Sequence, residues 1–158
     1  MKIFIGGPIQ YATNEEGYII QSYREIILRI IETLEGQGYE VLSAYVEEQF
    51  GAVSYKYSHE EICYRDYMWM KECDKYIAII PNGENGKLLR SDGTSVELGW
   101  ASALEKDITI ICDNNRLHTL SQVIKGLGSL CTVEYMNMKK VLEHPECLIS
   151  ELERTILE

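Results

Sequence analysis

Short apolar runs alternate along this chain with longer segments that carry helical periodicity. The clearest run is the segment 76–81, Tyr-Ile-Ala-Ile-Ile-Pro, which contains no charged residue. Runs of this kind are typical of parallel strands that are buried on both faces of a sheet. Strands that alternate with helices favour crossover connections that cover both sides of the sheet. We therefore predict an α/β fold, a single-domain three-layer sandwich of flavodoxin/Rossmann-like type, with a mostly parallel sheet of about five strands.

Apolar periodicity and breaker residues set the bounds of the predicted elements. The first helix, 17–37, has one wide apolar face and ends at Gly36 and Gly38. Ser58 is a candidate N-cap for the second helix, and Pro145 predicts a break in the last helical segment. The full prediction has strands at 2–6, 39–45, 75–80, 108–112 and 130–135, helices at 17–37, 59–74, 93–105, 118–126 and 137–157, and loops at 46–58 and 81–92.

Charge and hydropathy narrow the classes of partner. The formal net charge is −10 over 158 residues, which argues against binding nucleic acid polymers because such interfaces neutralise many phosphates. A single mononucleotide needs only a local set of hydrogen-bond donors, so its binding is compatible with this net charge. The apolar runs are too short to cross a membrane, and the amino terminus has no signal-peptide pattern. We expect one cytoplasmic domain over residues 1–158, with a small molecule as its partner.

Cysteine and histidine spacing gives no sign of a metal or cofactor. The five cysteines, Cys63, Cys73, Cys112, Cys131 and Cys147, form no CxxC pair, and most lie in apolar stretches. They are predicted to be reduced, buried side chains. The three histidines lack metal-ligand spacing. The turn Gly6-Gly7-Pro8 is not a GxGxxG fingerprint, so we expect no nicotinamide or flavin, and no other cofactor.

The segment Asp92-Gly93-Thr94-Ser95-Val96-Glu97 places a carboxylate near the start of a predicted helix that follows a strand. Open α/β sheets bind their ligands at this edge, and helix amino ends favour anionic groups. Two interpretations are open. Thr94 and Glu97 fit a T-x-x-E capping box, which spacing alone favours. Alternatively, Glu97 is a nucleophile or an acid/base.

A second carboxylate, Asp66, interrupts an apolar helix face. At helical spacing it shares that face with Ile62, Trp69, Met70 and Cys73. An Asp in this position is either a buried residue satisfied by a cap or by Arg65, or a functional carboxylate.

Three blocks together resemble the nucleoside 2-deoxyribosyltransferases. They are the strand and loop Ile3-Phe4-Ile5-Gly6-Gly7-Pro8-Ile9, the pair Arg65-Asp66 with Cys73-Asp74-Lys75-Tyr76-Ile77-Ala78, and Asp92-Gly93-Thr94-Ser95-Val96-Glu97-Leu98-Gly99-Trp100-Ala101. The third block matches the signature D-G-T-x-x-E-x-G-x-A. The resemblance covers residues 1–112. The wider superfamily also contains 2′-deoxynucleoside 5′-monophosphate N-glycosidases and pyrimidine-nucleotide hydrolases.

The resemblance implies a role for each matched residue. Glu97 would be the nucleophile at C1′ of the sugar, Asp66 would lie close to it and to the base or ribose, and Asp92 would contact the base. The remaining substrate-binding positions would be Gly6, Gly7, Pro8, Gly93, Thr94 and Ser95. A carboxylate can trap the oxocarbenium-like transition state, and water or a second base then resolves the intermediate.

One residue departs from the family pattern. Relatives often carry Tyr where this chain has Phe4, and in them that hydroxyl positions the catalytic Glu. Tyr11 or Tyr18 are candidates for a substitute hydroxyl.

The leading function is cleavage or transfer at the N-glycosidic bond of a (deoxy)nucleoside or its 5′-monophosphate. The alternatives are a non-catalytic nucleotide-sensing module and a glycohydrolase of a dinucleotide such as NAD. The resemblance also implies a pocket completed by a neighbouring subunit. We therefore expect a homodimer or a higher homo-oligomer that uses the segment 135–138 and the helix carrying Trp100 and Leu104.

Overall fold

A parallel sheet forms the centre of the fold. The computed structural model describes residues 1–9, 21–83 and 86–157. Its strands are β1 (Lys2–Gly6), β2 (Glu40–Ser43), β3 (Lys75–Ile80), β4 (Asp107–Cys112) and β5 (Val133–Asn137). They lie in the order β2-β1-β3-β4-β5, and every neighbouring pair is parallel. The predicted α/β fold with a parallel sheet is confirmed, and the strand order is that of flavodoxin-like proteins.

Helices connect the strands and lie on both faces of the sheet. They are α1 (Gln21–Gly36), α2 (Ala44–Glu47), α3 (His59–Glu72), α4 (Asp92–Ala103), α5 (Gln122–Lys125), α6 (Met138–Glu143) and α7 (Glu146–Leu157). Among the described residues, none of these helices is long and apolar enough to cross a membrane. The predicted break at Pro145 is confirmed, since α6 ends before it and α7 begins after it.

Several element bounds differ from the prediction. The second strand ends at Ser43, because the chain turns into α2 where a longer strand was expected. The segment 46–58 contains two 3₁₀ turns, Gln49–Gly51 and Ser54–Lys56, and is not a plain loop. The helix predicted at 118–126 is replaced by a 3₁₀ turn, Asn114–Thr119, followed by the single turn of α5. The first four residues of the predicted helix 17–37 lie outside the described residues.

Each face of the sheet has its own hydrophobic core. Ile3 and Ile5 of β1 point to the face covered by α1, α6 and α7. Phe4 and Tyr76 point to the opposite face, which is covered by α3 and α4. Neighbouring strands in register present the same face, and Phe4 pairs with Tyr76 across β1 and β3. This register decides which side chains meet at the end of the sheet.

The cysteines are free, although one is more exposed than expected. Cys73 and Cys112 are buried, Cys131 and Cys147 are half-buried, and Cys63 is exposed on α3. Cys63 lies on the outer side of its helix, whereas Asp66 is buried on the inner side.

Most of the residues expected at a subunit interface have contacts within the chain, whereas Leu104 is exposed. Tyr135, Met136 and Met138 are half-buried and pack against the two cores. Trp100 is half-buried and lies edge-on to Tyr67, with ring centroids 5.4 Å apart. The homodimer stays a prediction.

The strand order reverses direction between β1 and β3. In open α/β sheets this switch point, beyond the carboxyl ends of the strands, forms the ligand crevice. β1 ends here at Gly6, where α3 packs against β1 and α4 packs against the neighbouring strand β3.

Candidate active site

A cavity of about 560 Å³ opens at the carboxyl end of β1. Its volume is in the range of sites for small organic ligands. The end of β1, α2 with the turns that follow it, α3 and the start of α4 form its walls. The lining includes Gly6, Gly7, Tyr45, Glu48, Ser54, Tyr55, Tyr57, Ile62, Asp66, Asp92, Gly93, Thr94 and Glu97. The two carboxylates singled out in the sequence, Glu97 and Asp66, therefore line one cavity.

Glu97 does not cap its own helix. The N-cap of α4 is Ser91, whose side-chain oxygen accepts a hydrogen bond from the backbone N–H of Thr94 at 3.1 Å. The capping box with Thr94 as N-cap is therefore wrong, because α4 begins earlier than the spacing indicated. Glu97 is only 8% exposed, and its carboxylate accepts a hydrogen bond from the Tyr76 hydroxyl at 2.5 Å.

Tyr76 provides a hydroxyl beside Glu97 although Phe4 has none. The two rings are neighbours on one face of the sheet, with centroids 5.3 Å apart. The hydroxyl is therefore contributed by the adjacent strand. Tyr11 and Tyr18, the candidates considered from sequence, lie outside the described residues. The missing hydroxyl at Phe4 was the reason for considering a sensor without catalysis. Tyr76 gives Glu97 a hydroxyl partner although position 4 is Phe.

Burial changes the protonation of Glu97 and Tyr76. The pKa of Glu97 is raised to about 8, and the largest cause is desolvation; the Tyr76 hydrogen bond lowers the pKa, and the nearby Asp66 carboxylate raises it. Burial raises the pKa of Tyr76 well above its ordinary value, and the Glu97 charge adds to this. Tyr76 therefore remains a neutral donor.

Asp66 is buried on the inner side of α3 and pairs with its neighbour in sequence. It is 8% exposed, and Arg65 Nε donates a hydrogen bond to its Oδ1 at 2.9 Å. Burial raises the pKa of Asp66, while the guanidinium of Arg65 opposes this shift. Asp66 is thus satisfied by Arg65, as one interpretation from sequence expected, and it also lines the cavity. Its role as a functional carboxylate stays a prediction.

A third buried carboxylate, Glu48, was not singled out in the sequence. It is 4% exposed, lines the cavity and accepts hydrogen bonds from Arg65 Nη2 at 2.7 Å and from the Ser54 hydroxyl at 2.6 Å. Arg65 therefore bridges Glu48 and Asp66. The sequence feature that could have drawn attention to this region is the aromatic content of the segment 46–58, which is high for a plain linker.

The glycines at the end of β1 make room for this arrangement. A Cβ on Gly6 would overlap Glu97 Oε2 and the Tyr76 hydroxyl, and a Cβ on Gly7 would overlap the hydroxyls of Tyr45 and Tyr23. Close packing of side chains around the backbone, rather than backbone conformation, requires glycine at both positions.

The other predicted substrate-binding positions divide into two groups. Asp92, Gly93 and Thr94 line the cavity at the start of α4. Pro8 and Ser95 do not line it. Ser95 is exposed, and its hydroxyl donates to the Ser91 carbonyl oxygen at 3.0 Å, because its position on α4 turns the side chain away from the cavity. Within the described residues, His, Cys, Asp and Glu side chains form no group that could hold a metal ion.

Two solved structures are similar to the chain in sequence and in fold. One is a CMP N-glycosidase, BcmB, from Clostridium botulinum, at 25% identity and a TM-score of 0.63, over 93% of this chain and 99% of that chain. The other is the solution structure of BlsM, at 30% identity and a TM-score of 0.70, over 89% of this chain and 83% of that chain.

A third structure supports the fold alone. It is a 2-deoxyribosyltransferase from Bacillus psychrosaccharolyticus at 20% identity and a TM-score of 0.57, over 89% of this chain and 90% of that chain. Among curated proteins, no sequence matches the chain significantly.

A family model matches almost the whole chain. It describes the nucleoside 2-deoxyribosyltransferases and covers residues 3–144. Together with the N-glycosidase similarity, it supports an enzyme that cleaves or transfers at the N-glycosidic bond of small nucleosides or nucleotides. The chain belongs to the nucleoside 2-deoxyribosyltransferase family.

Proposed function

We propose that the protein cleaves or exchanges the N-glycosidic bond of a nucleoside or nucleoside 5′-monophosphate, with Glu97 as the nucleophile. The observation that carries this proposal is the buried Glu97 carboxylate, oriented by the Tyr76 hydroxyl in a cavity that Asp66 also lines. Tyr76 donates to one carboxylate oxygen, Oε2, and leaves the other oxygen available to attack C1′.

The first half of the reaction forms one bond to C1′, breaks another and moves one proton. Oε1 of Glu97 forms a bond to C1′, and the C1′–N bond breaks with its electron pair on the base. In the reactive protonation state, the proton that the two carboxylates share lies on Asp66 and Glu97 is ionised. Asp66 gives this proton to the departing base, which leaves as a neutral molecule. The product is a covalent glycosyl ester of Glu97, as expected for two-carboxylate chemistry at an anomeric carbon.

The second half reverses these movements. Water, or the nitrogen of a second base, attacks C1′ and gives up a proton to the Asp66 carboxylate. The ester bond to Glu97 breaks, which restores the starting protonation of the site. Hydrolysis and transfer therefore differ only in the acceptor that enters the cavity.

The direct test is a panel of ribo- and 2′-deoxyribonucleosides, their 5′-monophosphates and NAD, each with and without an acceptor base. Released base is measured by chromatography. We expect base release from at least one nucleoside or nucleotide, and a new nucleoside when the acceptor is used. Tight binding of a nucleotide with no release of base would instead support the sensor, and release of nicotinamide from NAD alone would support the dinucleotide glycohydrolase.

Replacing Tyr76 with Phe is expected to lower kcat for base release by roughly 10- to 100-fold, with a smaller change in KM. The ring is retained and Phe4 already packs beside it, so only the hydrogen bond to Glu97 is removed. That bond lowers the pKa of Glu97, so its loss should also move the pH dependence upward. An unchanged pH profile together with unchanged kcat would contradict a positioning role for Tyr76.

The pH profile of kcat/KM should be bell-shaped. Because burial raises the pKa of Asp66 and raises that of Glu97 to about 8, the two carboxylates hold one proton between them at neutral pH. Catalysis needs this one proton for the base and one free carboxylate for C1′. Activity should fall at acid pH as the second proton binds, and above about pH 8 as the shared proton leaves. Constant kcat/KM from pH 7 to pH 10, measured by initial rates, would contradict the shared proton.

A further inference from the structure

We propose that Glu48 recognises the base of the substrate and selects bases that carry an exocyclic amino group. This inference rests on the proposed function, since it assigns the substrate class of the same cavity. It concerns the part of the cavity wall formed by α2 and the turns that follow it, where Glu48, Ser54, Tyr55 and Tyr57 contribute to the lining.

Glu48 is held in place as an acceptor. Its Oε1 accepts from Arg65 Nη2 and its Oε2 from the Ser54 hydroxyl. Each carboxylate oxygen can accept more than one hydrogen bond, so this arrangement fixes the group and leaves acceptor capacity toward the cavity. A carboxylate that pairs with a guanidinium serves as a hydrogen-bond acceptor, so the matching part of a ligand must be a donor.

The backbone after Glu48 has a costly conformation. Gln49 and Phe50 have φ values of 48° and 55°, in the left-handed region that favours glycine. Phe50 is buried, and the guanidinium carbon of Arg24 lies 4.5 Å from its ring centroid. Strained backbone persists where surrounding contacts hold it, and it clusters at ligand sites. The chain therefore keeps Glu48 in place at a conformational cost.

Charge and aromatic content favour the base over the phosphate as the partner of Glu48. A phosphate would be repelled by this buried carboxylate. Tyr55 and Tyr57 follow Ser54 in the chain and also line the cavity, and Tyr55 is 81% exposed. Aromatic side chains are stacking surfaces for bases. A stacking surface beside a fixed acceptor fits the edge of a planar base that carries N–H groups.

The amino and oxo forms of a base differ at this position. Where Glu48 faces the exocyclic group, the amino group of cytosine or adenine donates to it, whereas the oxygen of uracil or hypoxanthine presents lone pairs to it; these oxo bases offer a donor only at the neighbouring ring N–H. Contacts of this type discriminate between bases by roughly 10- to 100-fold. The inferred substrate class is therefore nucleosides or nucleotides of amino-substituted bases.

The test uses pairs of substrates that differ only in this group. Values of kcat/KM are measured for CMP and UMP, for AMP and IMP, and for the corresponding nucleosides. The wild type should favour the amino member of the accepted pair by roughly 10- to 100-fold. In Glu48→Gln the ratio should fall close to one, because the amide can turn either a donor or an acceptor to the base. The ratio does not depend on the fraction of folded enzyme, so partial destabilisation cannot produce this result.

A matched control is Glu60→Gln, which makes the same change at an exposed position of α3 outside this cavity. It should keep the wild-type ratio. A wild type without amino preference, or a Glu48→Gln variant that keeps the preference, would overturn the inference. If the wild type releases no base from any substrate, the proposed function fails, and calorimetric affinities for CMP, UMP, AMP and IMP decide the inference alone. An amino preference in binding that is lost in Glu48→Gln supports it, and equal affinities overturn it.

Discussion

Replacing Glu97 with Gln is expected to abolish base release while making the protein more stable at alkaline pH. A neutral amide cannot form the glycosyl ester, so kcat/KM should fall by at least about 10³-fold. The amide is nearly isosteric and can still accept the hydrogen bond from Tyr76, so the fold should be kept. Base release is measured by chromatography with the accepted substrate, and mass spectrometry should find the glycosyl adduct in the wild type alone.

The stability effect follows from the raised pKa of Glu97. The folded protein holds the Glu97 proton up to about pH 8, whereas the unfolded chain loses it near the ordinary glutamate pKa. The folded state thus binds more protons between these values, and wild-type stability falls as the pH rises through this window. Each pKa unit corresponds to about 1.4 kcal/mol, so Glu97→Gln should gain a few kcal/mol over the wild type at pH 9 and little at pH 5.

Denaturant unfolding at pH 5 and pH 9 measures this difference. The matched control is Glu153→Gln, the same change at an exposed position of α7, which should alter stability little at either pH. Full activity in Glu97→Gln would remove Glu97 from the reaction. Equal stability of Glu97→Gln and wild type at pH 9 would show that the carboxylate is hydrated in the folded state.

The sheet could be predicted because its strands are nearly continuous apolar runs. The segment 75–80 is buried at every position, and its apolar pattern fits few structures other than a buried strand. The short elements could not be predicted in the same way. α2 and the 3₁₀ turn Gln49–Gly51 are each only one turn long, and their conformation depends on the packing of Tyr45 and Phe50 into the core. Local sequence carries no such information.

The candidate site was predicted in part, for a related reason. Glu97 could be singled out because it lies near the start of a predicted helix that follows a strand. Asp66 could be singled out because it interrupts an apolar helix face. Tyr76 did not stand out, since a tyrosine in an apolar strand is ordinary core packing. Its role depends on the register of β1 and β3, which pairs it with Phe4. The position of Glu48 in the site depends likewise on a turn that brings it to Arg65. Neither the pairing of Tyr76 with Phe4 nor that of Glu48 with Arg65 follows from spacing along the chain.

Replacing Asp66 with Asn is expected to lower kcat for base release by roughly 10²- to 10⁴-fold, the usual contribution of a general acid. The amide has no readily transferred proton for the departing base. With Asn at position 66, no proton is shared between two carboxylates. The fall in kcat/KM above about pH 8, which reports the loss of that proton, should therefore disappear. Circular dichroism and the unfolding midpoint check that the loss of the Arg65 pairing has not unfolded α3.

The loss in Asp66→Asn should depend on how much the base needs a proton. A nucleoside such as 7-methylguanosine carries its positive charge on the base, so the base departs as a neutral molecule without protonation. If Asp66 is the acid, its removal should slow the unmethylated nucleoside far more than the methylated one. If Asp66 only holds the substrate through the base or the ribose, both should lose the same factor and the alkaline limb should remain. The ratio of the two losses therefore separates proton transfer from binding at a single residue.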